Sequence, residues 1–251
     1  MMNQPNPWII VPKPQVNAGV RLFCLPYAGG SSTVFRTWPD ALVSHAEVAL
    51  IQMPGRGSRY RETPLNRLTE VVQLLADAMT DLLDCPYMLL GHSLGGLISF
   101  ELIRELRRRG LPEPLHLFVC ARPAPHLPNE RTPVHNASDD ILIQEVQRRY
   151  GGIPPAILAD AEMLQLFLPT LRADLEVLET YRYVPEAPLN CDITVYGGYQ
   201  DLAVTYTQLA AWSEHTVSRF SHQMFPGNHF FVQNTPAFLK TFSATLATVR
   251  G

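Results

Sequence analysis

Leu90-Gly91-His92-Ser93-Leu94-Gly95-Gly96 decides how this chain reads. It carries the pattern G-x-S-x-G, with Gly91, Ser93 and Gly95 in the fixed places. An apolar run, Tyr87-Met88-Leu89-Leu90, leads in, and a helix-compatible run from Leu97 to Arg109 leads out. Strand, tight turn and helix is the setting in which such a serine serves as a nucleophile. The sharp turn strains the backbone and pushes the hydroxyl out at the top of a sheet. Side chains two residues to either side would collide with the flanking strand and helix, so glycine stands there. The free N–H of Leu94, at the helix start, can face an oxyanion. A chance Gly/Ser loop is the plain alternative, and the flanking strand and helix signals argue against it.

Upstream, Val20-Arg21-Leu22-Phe23-Cys24-Leu25 reads as a buried strand. It runs into the loop Pro26-Tyr27-Ala28-Gly29-Gly30-Ser31-Ser32. A Gly-rich loop directly after a strand can aim N–H groups into a pocket. The Ala28 N–H is therefore the second expected oxyanion donor, with Tyr27 the less favoured choice. Trp8 to Val11 and Val48 to Met53 read as strands, and Val34 to Val43 as a helix capped by Ser32 or Thr33. Arg56, Arg59 and Arg61 lie in a polar loop after Pro54-Gly55; they can meet a phosphate or a carboxylate, but a solvated loop is the default. Leu68 to Leu83 has the apolar spacing of an amphipathic helix.

Downstream, Leu115 to Ala121 is another buried strand. Arg104, Arg107, Arg108 and Arg109, just before it, suit the negative end of a helix. A docking patch for an acidic partner is the sharper alternative. From Arg122 to Pro188 the character changes: prolines cluster, and helical pieces are expected at Asp139 to Tyr150, Asp160 to Phe167 and Thr170 to Tyr181. Helices inserted between strands suggest a lid, at about 127–185 within a single domain spanning 1–251. Strands resume at Cys191 to Tyr196 and Thr216 to Phe220, with helices at Tyr206 to Ser213 and Thr235 to Val249. The alternation implies an α/β fold with a mostly parallel central sheet flanked by helices.

Ser93, Asp201 and His229 each stand just after a strand, where sites form in such sheets. Their order, Ser then Asp then His, is that of the α/β-hydrolase fold. A serine hydroxyl is too weak an acid to attack unaided. His229 can take its proton near neutral pH and return it to the leaving group. Asp201 would hold the imidazole in one tautomer. His92 adjoins Ser93 but points away on a tight turn, so it reads as structural. His215 and His222 lack a Gly-flanked loop after a strand, and Asp192 stands at the wrong end of its strand.

The chain has 251 residues, 46% hydrophobic and 17% charged, enough for a sizeable core. A net charge of −3 gives no hint of nucleic acid. Cys24, Cys85, Cys120 and Cys191 form no C-x-x-C, so neither a disulfide framework nor a zinc site is expected. No signal peptide is visible, and no apolar run reaches the ~18 residues of a membrane span. A cytoplasmic monomer is expected.

The chain also resembles the type II thioesterases that accompany nonribosomal peptide and polyketide synthases. The resemblance rests on Leu25-Pro26-Tyr27-Ala28-Gly29-Gly30-Ser31, Pro54-Gly55-Arg56-Gly57 and the Ser93 turn. Leu168-Pro169-Thr170-Leu171-Arg172-Ala173-Asp174, Gly197-Gly198-x-x-Asp201 and Gly227-x-His229-Phe230 extend it over nearly the whole chain. Asn228 departs from it, standing where a second glycine is frequent. The resemblance implies hydrolysis of stalled or wrong acyl groups from the phosphopantetheine arm of acyl or peptidyl carrier domains. It implies no metal and no cofactor, only nucleophile, base and oxyanion hole. The alternatives are a carboxylesterase or a chain-releasing thioesterase on the same fold, or a non-catalytic binding protein of that fold.

Overall fold

The inner strands of the central sheet are apolar nearly throughout, as strands covered on both faces should be. A computed structural model describes residues 6–234 and 236–249. Its strands are β1 (Ile9–Ile10), β2 (Arg21–Leu25), β3 (Glu47–Ile51), β4 (Tyr87–His92), β5 (His116–Cys120), β6 (Asp192–Gly198) and β7 (Phe220–Phe225). They form one sheet in the order β1-β3-β2-β4-β5-β6-β7, in which β1 runs antiparallel and the other pairings are parallel. The helices are α1 (Trp38–Ala41), α2 (Leu68–Met79), α3 (Leu94–Arg108), α4 (Asp139–Tyr150), α5 (Pro155–Leu158), α6 (Ala161–Thr180), α7 (Tyr206–Ala210), α8 (Phe231–Asn234) and α9 (Pro236–Val249).

Alternation along β2 divides the core between the two faces. Phe23 and Leu25 join Val72, Leu75 and Leu97 of α2 and α3 on one side. Leu22 and Cys24 join Trp38, Phe238 and Phe242 of α1 and α9 on the other. β4 is central, with Leu25 opposite Gly91 and His92 opposite Cys120. The register thus brings the C-terminal ends of β2, β4 and β5 side by side under the Ser93 turn. This is the α/β-hydrolase architecture that the sequence implied.

Several local expectations change. The helix expected at Val34 to Val43 is a 3₁₀ turn, Ser32–Phe35, followed by the single turn of α1. Pro39 at the start of α1 lacks the N–H to continue a helix from upstream, and the cap is Ser31, which accepts from the Thr33 N–H. The strand expected at Thr216 to Phe220 is β7, displaced to Phe220–Phe225. Ser221, His222 and Gln223 are exposed on this sheet edge and carry no apolar signal, whereas Val217 is 70% exposed. The two helices expected on either side of Pro169 are one, α6, which runs through it. Burial of Leu168, Leu171, Leu175 and Leu178 along one face offsets the hydrogen bond that proline removes. The last helix was expected from Thr235, which lies outside the described residues.

The arginines also differ from the default. Arg56 and Arg59 are buried, not solvated. Arg59 lies over the Trp8 ring, 4.6 Å from its centre, and bonds Glu62. Arg61 alone of the three is exposed, against Tyr60. Arg104 is buried against Glu101 and Glu186, while Arg107, Arg108 and Arg109 pair with Glu186, Glu105 and Asp77. This face is already neutralised within the chain, so it offers little to an acidic partner. All four cysteines are free. Among the described residues no helix is long and apolar enough to cross a membrane.

Candidate active site

β4 ends directly in the turn that carries Ser93. Ser93 has φ +53° and ψ −109°, a left-handed conformation that a residue with a side chain adopts only under constraint. The constraint is visible: the Ser93 N–H donates to the Cys120 carbonyl at 2.8 Å, and the Ser93 carbonyl accepts from Gly96 and Leu97 of α3. A Cβ on Gly91 would lie 2.2 Å from the Gly95 carbonyl oxygen, and one on Gly95 would lie 2.2 Å from the Leu25 carbonyl oxygen. The turn closes only with glycine at both places. The collision at Gly91 is with the turn's own backbone, and that at Gly95 is with the end of β2.

The structure brings together the residues expected from sequence. Asp201 follows β6 and His229 follows β7. His229 Nδ1 is 2.8 Å from Asp201 Oδ2, and its Nε2 is 3.0 Å from Ser93 Oγ. A carboxylate only accepts, so Nδ1 carries the proton and donates to it. Nε2 is then free to accept from the Ser93 hydroxyl. The His229 and Asp201 side chains are 4% and 1% exposed, so their pair is shielded from water. This chain of contacts can remove a proton from Ser93 and hold the resulting imidazolium.

Ala28 lines the same small cavity as Ser93, and Leu94 opens α3 behind it. Neither amide has an acceptor among the described residues. By contrast, the next amide, Gly29, donates to Asp174 Oδ2 at 2.7 Å. The loop is therefore anchored one residue past the amide expected to meet an oxyanion.

The rejected candidates lie elsewhere. His222 bonds the Tyr206 hydroxyl, His215 meets His126, and Asp192 pairs with Arg219 at the start of β6. His92 has a definite task that sequence reading left unspecified. Its Nε2 donates to the His229 carbonyl at 2.8 Å, which fixes the loop that carries His229. Burial holds its pKa down at about 3, so it stays a neutral donor.

Sequence reasoning also missed a buried ion pair beside the Ala28–Gly30 loop. Arg56 grips both oxygens of Asp174, at 2.6 and 2.8 Å, and also bonds the Gly30 carbonyl. Asp174 belongs to α6, so one carboxylate ties the inserted helices to the loops after β2 and β3. Nothing in the sequence of Leu168 to Asp174 names this partner.

Two spaces meet at Ser93. One is a cavity of about 30 Å³ walled by Val146 and Tyr150 of α4 and by Leu171, Leu175 and Leu178 of α6. The other is a cleft of about 390 Å³ reaching from Ser93 and His229 to Arg122 and Arg131. Among the described residues no group of three or more His, Cys, Asp or Glu is placed to hold a metal ion.

Known proteins share this architecture. The chain is 42% identical over 231 residues to the gramicidin S biosynthesis protein GrsT of Aneurinibacillus migulanus, covering 92% of this chain and 90% of that protein. Among solved structures it resembles RedJ, a thioesterase from the prodiginine pathway of Streptomyces coelicolor, with TM-score 0.83 and 39% identity over 93% of this chain and 91% of RedJ. It equally resembles BorB, a type II thioesterase from the borrelidin biosynthetic cluster, with TM-score 0.83 and 33% identity over 96% of each chain. The model of the thioesterase domain matches residues 20–246, and on that match the chain belongs to the thioesterase family.

Proposed function

We propose that this thioester hydrolase clears acyl and aminoacyl groups from the phosphopantetheine arms of carrier domains in nonribosomal peptide or polyketide synthesis. The single observation that carries the chemistry is the unbroken contact from Asp201 through His229 to Ser93 Oγ. The kinship with type II thioesterases of such pathways supports the substrate class.

Ser93 Oγ attacks the thioester carbonyl as His229 Nε2 takes its proton. The Ala28 and Leu94 N–H groups hold the oxyanion of the tetrahedral adduct. Collapse expels the pantetheine thiolate, which takes the proton from His229, and leaves an ester on Ser93. Water, deprotonated by His229, then hydrolyses that ester and restores the serine. Asp201 keeps the proton on Nδ1 throughout and stabilises the imidazolium. Each oxyanion donor contributes roughly 3–4 kcal/mol to the barrier reduction. The chemistry calls for no metal and no organic cofactor. Helices α4, α5 and α6 act as a lid over the acyl pocket.

The test is acyl loss from a carrier protein loaded with acetyl- or aminoacyl-phosphopantetheine, followed by intact mass, with wild type beside Ser93→Ala. Loss with wild type only, faster than from the matching free pantetheine thioester, supports the reading. No loss, with Ser93 still labelled by a fluorophosphonate, would leave a hydrolase of other esters.

A further inference from the structure

Arg122 stands just past the end of β5 and lines the 390 Å³ cleft together with Ser93 and His229. Its Nε is buried and has no hydrogen-bond partner. Among the described residues no carboxylate pairs with its guanidinium; the charged group that bears on it is Arg131, a like charge. Arg131 lines the same cleft and bonds only neutral groups, the Tyr150 hydroxyl at 3.1 Å and the Ala203 carbonyl. Two further carboxylates border the cleft. Glu179 is spent on the Val134 and His135 amides and on the His135 ring at 2.6 Å, with Arg149 3.8 Å away. Glu130 is exposed at the rim.

A guanidinium stays protonated in proteins, so burial cannot neutralise it as it would a lysine. Arg122 is half-buried, but its Nε is shielded and unpaired, and leaving such a donor of a charged group unmatched is costly unless something binds there. Elsewhere in this chain the rule is kept: buried Arg21, Arg56 and Arg104 each face carboxylates. Half-buried Arg122 has no such partner among the described residues, and it borders Ser93. Its planar fork suits two oxygens of one anionic group.

We propose that Arg122, with Arg131 beside it, forms an anion subsite of the active-site cleft that takes an oxyanion carried by the thioester substrate. The inference rests on the thioesterase reading. Two parts of such a substrate can supply the group: a carboxylate at the far end of the acyl chain, or the phosphate of the pantetheine arm. Arg122 donates to it, and Arg131 adds charge without a change in its own bonds.

The experiment compares kcat/KM ratios for matched pairs in wild type, Arg122→Gln and Arg122→Lys. One pair is succinyl- and butyryl-N-acetylcysteamine; the other is acetyl-phosphopantetheine and acetyl-pantetheine. Arg122→Gln should lower one of the two anionic-to-neutral ratios by about ten-fold or more, and Arg122→Lys should retain part of it. A fall in the succinyl ratio identifies the acyl carboxylate, and a fall in the phosphopantetheine ratio identifies the arm. Both ratios within two-fold of wild type would overturn the subsite. Calorimetry on Ser93→Ala gives a measure independent of turnover and of the folding of Arg122→Gln. There, binding of neither succinyl thioester over butyryl nor phosphopantetheine over pantetheine would overturn it equally. Failure of wild type to hydrolyse any of the four, with anion-favoured binding intact, would count against the thioesterase reading alone.

Discussion

Replacing Asp174 by alanine removes the counter-charge of Arg56 from a place water does not reach. The two side chains are 2% and 5% exposed, and both oxygens of the carboxylate are used. Truncating one partner of such a pair costs about 3–5 kcal/mol, because the other charge is left buried and alone. For a chain of this size each kcal/mol lowers Tm by about 2–4 °C, so a fall of roughly 6–20 °C is expected. Replacing the pair together, as Arg56→Met with Asp174→Leu, abolishes the orphan charge and should recover most of that loss. It leaves the Gly29 N–H without its acceptor, a residual cost of about 1–3 kcal/mol. The double variant therefore separates two roles. Calorimetry should find it more stable than Asp174→Ala, while kcat on a small acyl thioester stays low, because the loop bearing the Ala28 amide is no longer anchored. A Tm for Asp174→Ala within about 3 °C of wild type would refute the energetic argument. Full kcat in the double variant would refute the anchoring argument.

Asp201→Asn should leave the fold intact and cut kcat by about 10⁴-fold, since an amide no longer fixes the His229 tautomer; stopped-assay kinetics with a small thioester would check it. Gly95→Ala should give little folded protein by circular dichroism, since the added methyl meets the Leu25 carbonyl oxygen at 2.2 Å. Stability should fall on acidification below about pH 6.5. Burial lowers the pKa of His92 to about 3 and that of His116 and His215 to about 4, so the unfolded chain binds protons that the folded chain refuses. That loss should accumulate between about pH 6.5 and 4, and His116→Gln should flatten the dependence of Tm on pH; a flat wild-type profile over that range would contradict it.

The candidate catalytic residues were legible because each sits in a short local pattern. Ser93 has glycines two residues to either side, Asp201 follows Gly197-Gly198, and His229 follows Gly227, all just past strands. What supports them was not legible, because it is settled by distance in sequence. Arg56 and Asp174 are 118 residues apart, and His92 reaches a carbonyl 137 residues away. An arginine in a polar loop gives no sign that a carboxylate from another helix will bury it. The edge strand β7 escaped for the opposite reason: half-exposed strands at a sheet edge need little apolar character. Pro169 misled because local propensity is weak against the burial of a whole helical face.

The position of Ser93 between two unlike spaces constrains how a thioester can lie there. Of the two, the apolar cavity walled by α4 and α6 is much the smaller. An acyl chain that outgrows it would part α4 from α6, exposing apolar surface at about 25 cal/mol per Å² while burying its own. The cleft on the other side is roomier, polar and cationic, and needs no such movement. A thioester has one variable, often apolar arm and one constant, amide-rich arm. The apolar side can therefore judge the acyl group by how well it fits between α4 and α6. The Arg56–Asp174 pair bears on both, since α6, which walls the apolar space, also holds the loop bearing Ala28 in place. Selectivity and catalytic competence then depend on the same helix, so an acyl group that displaces α6 too far weakens the site that would cleave it.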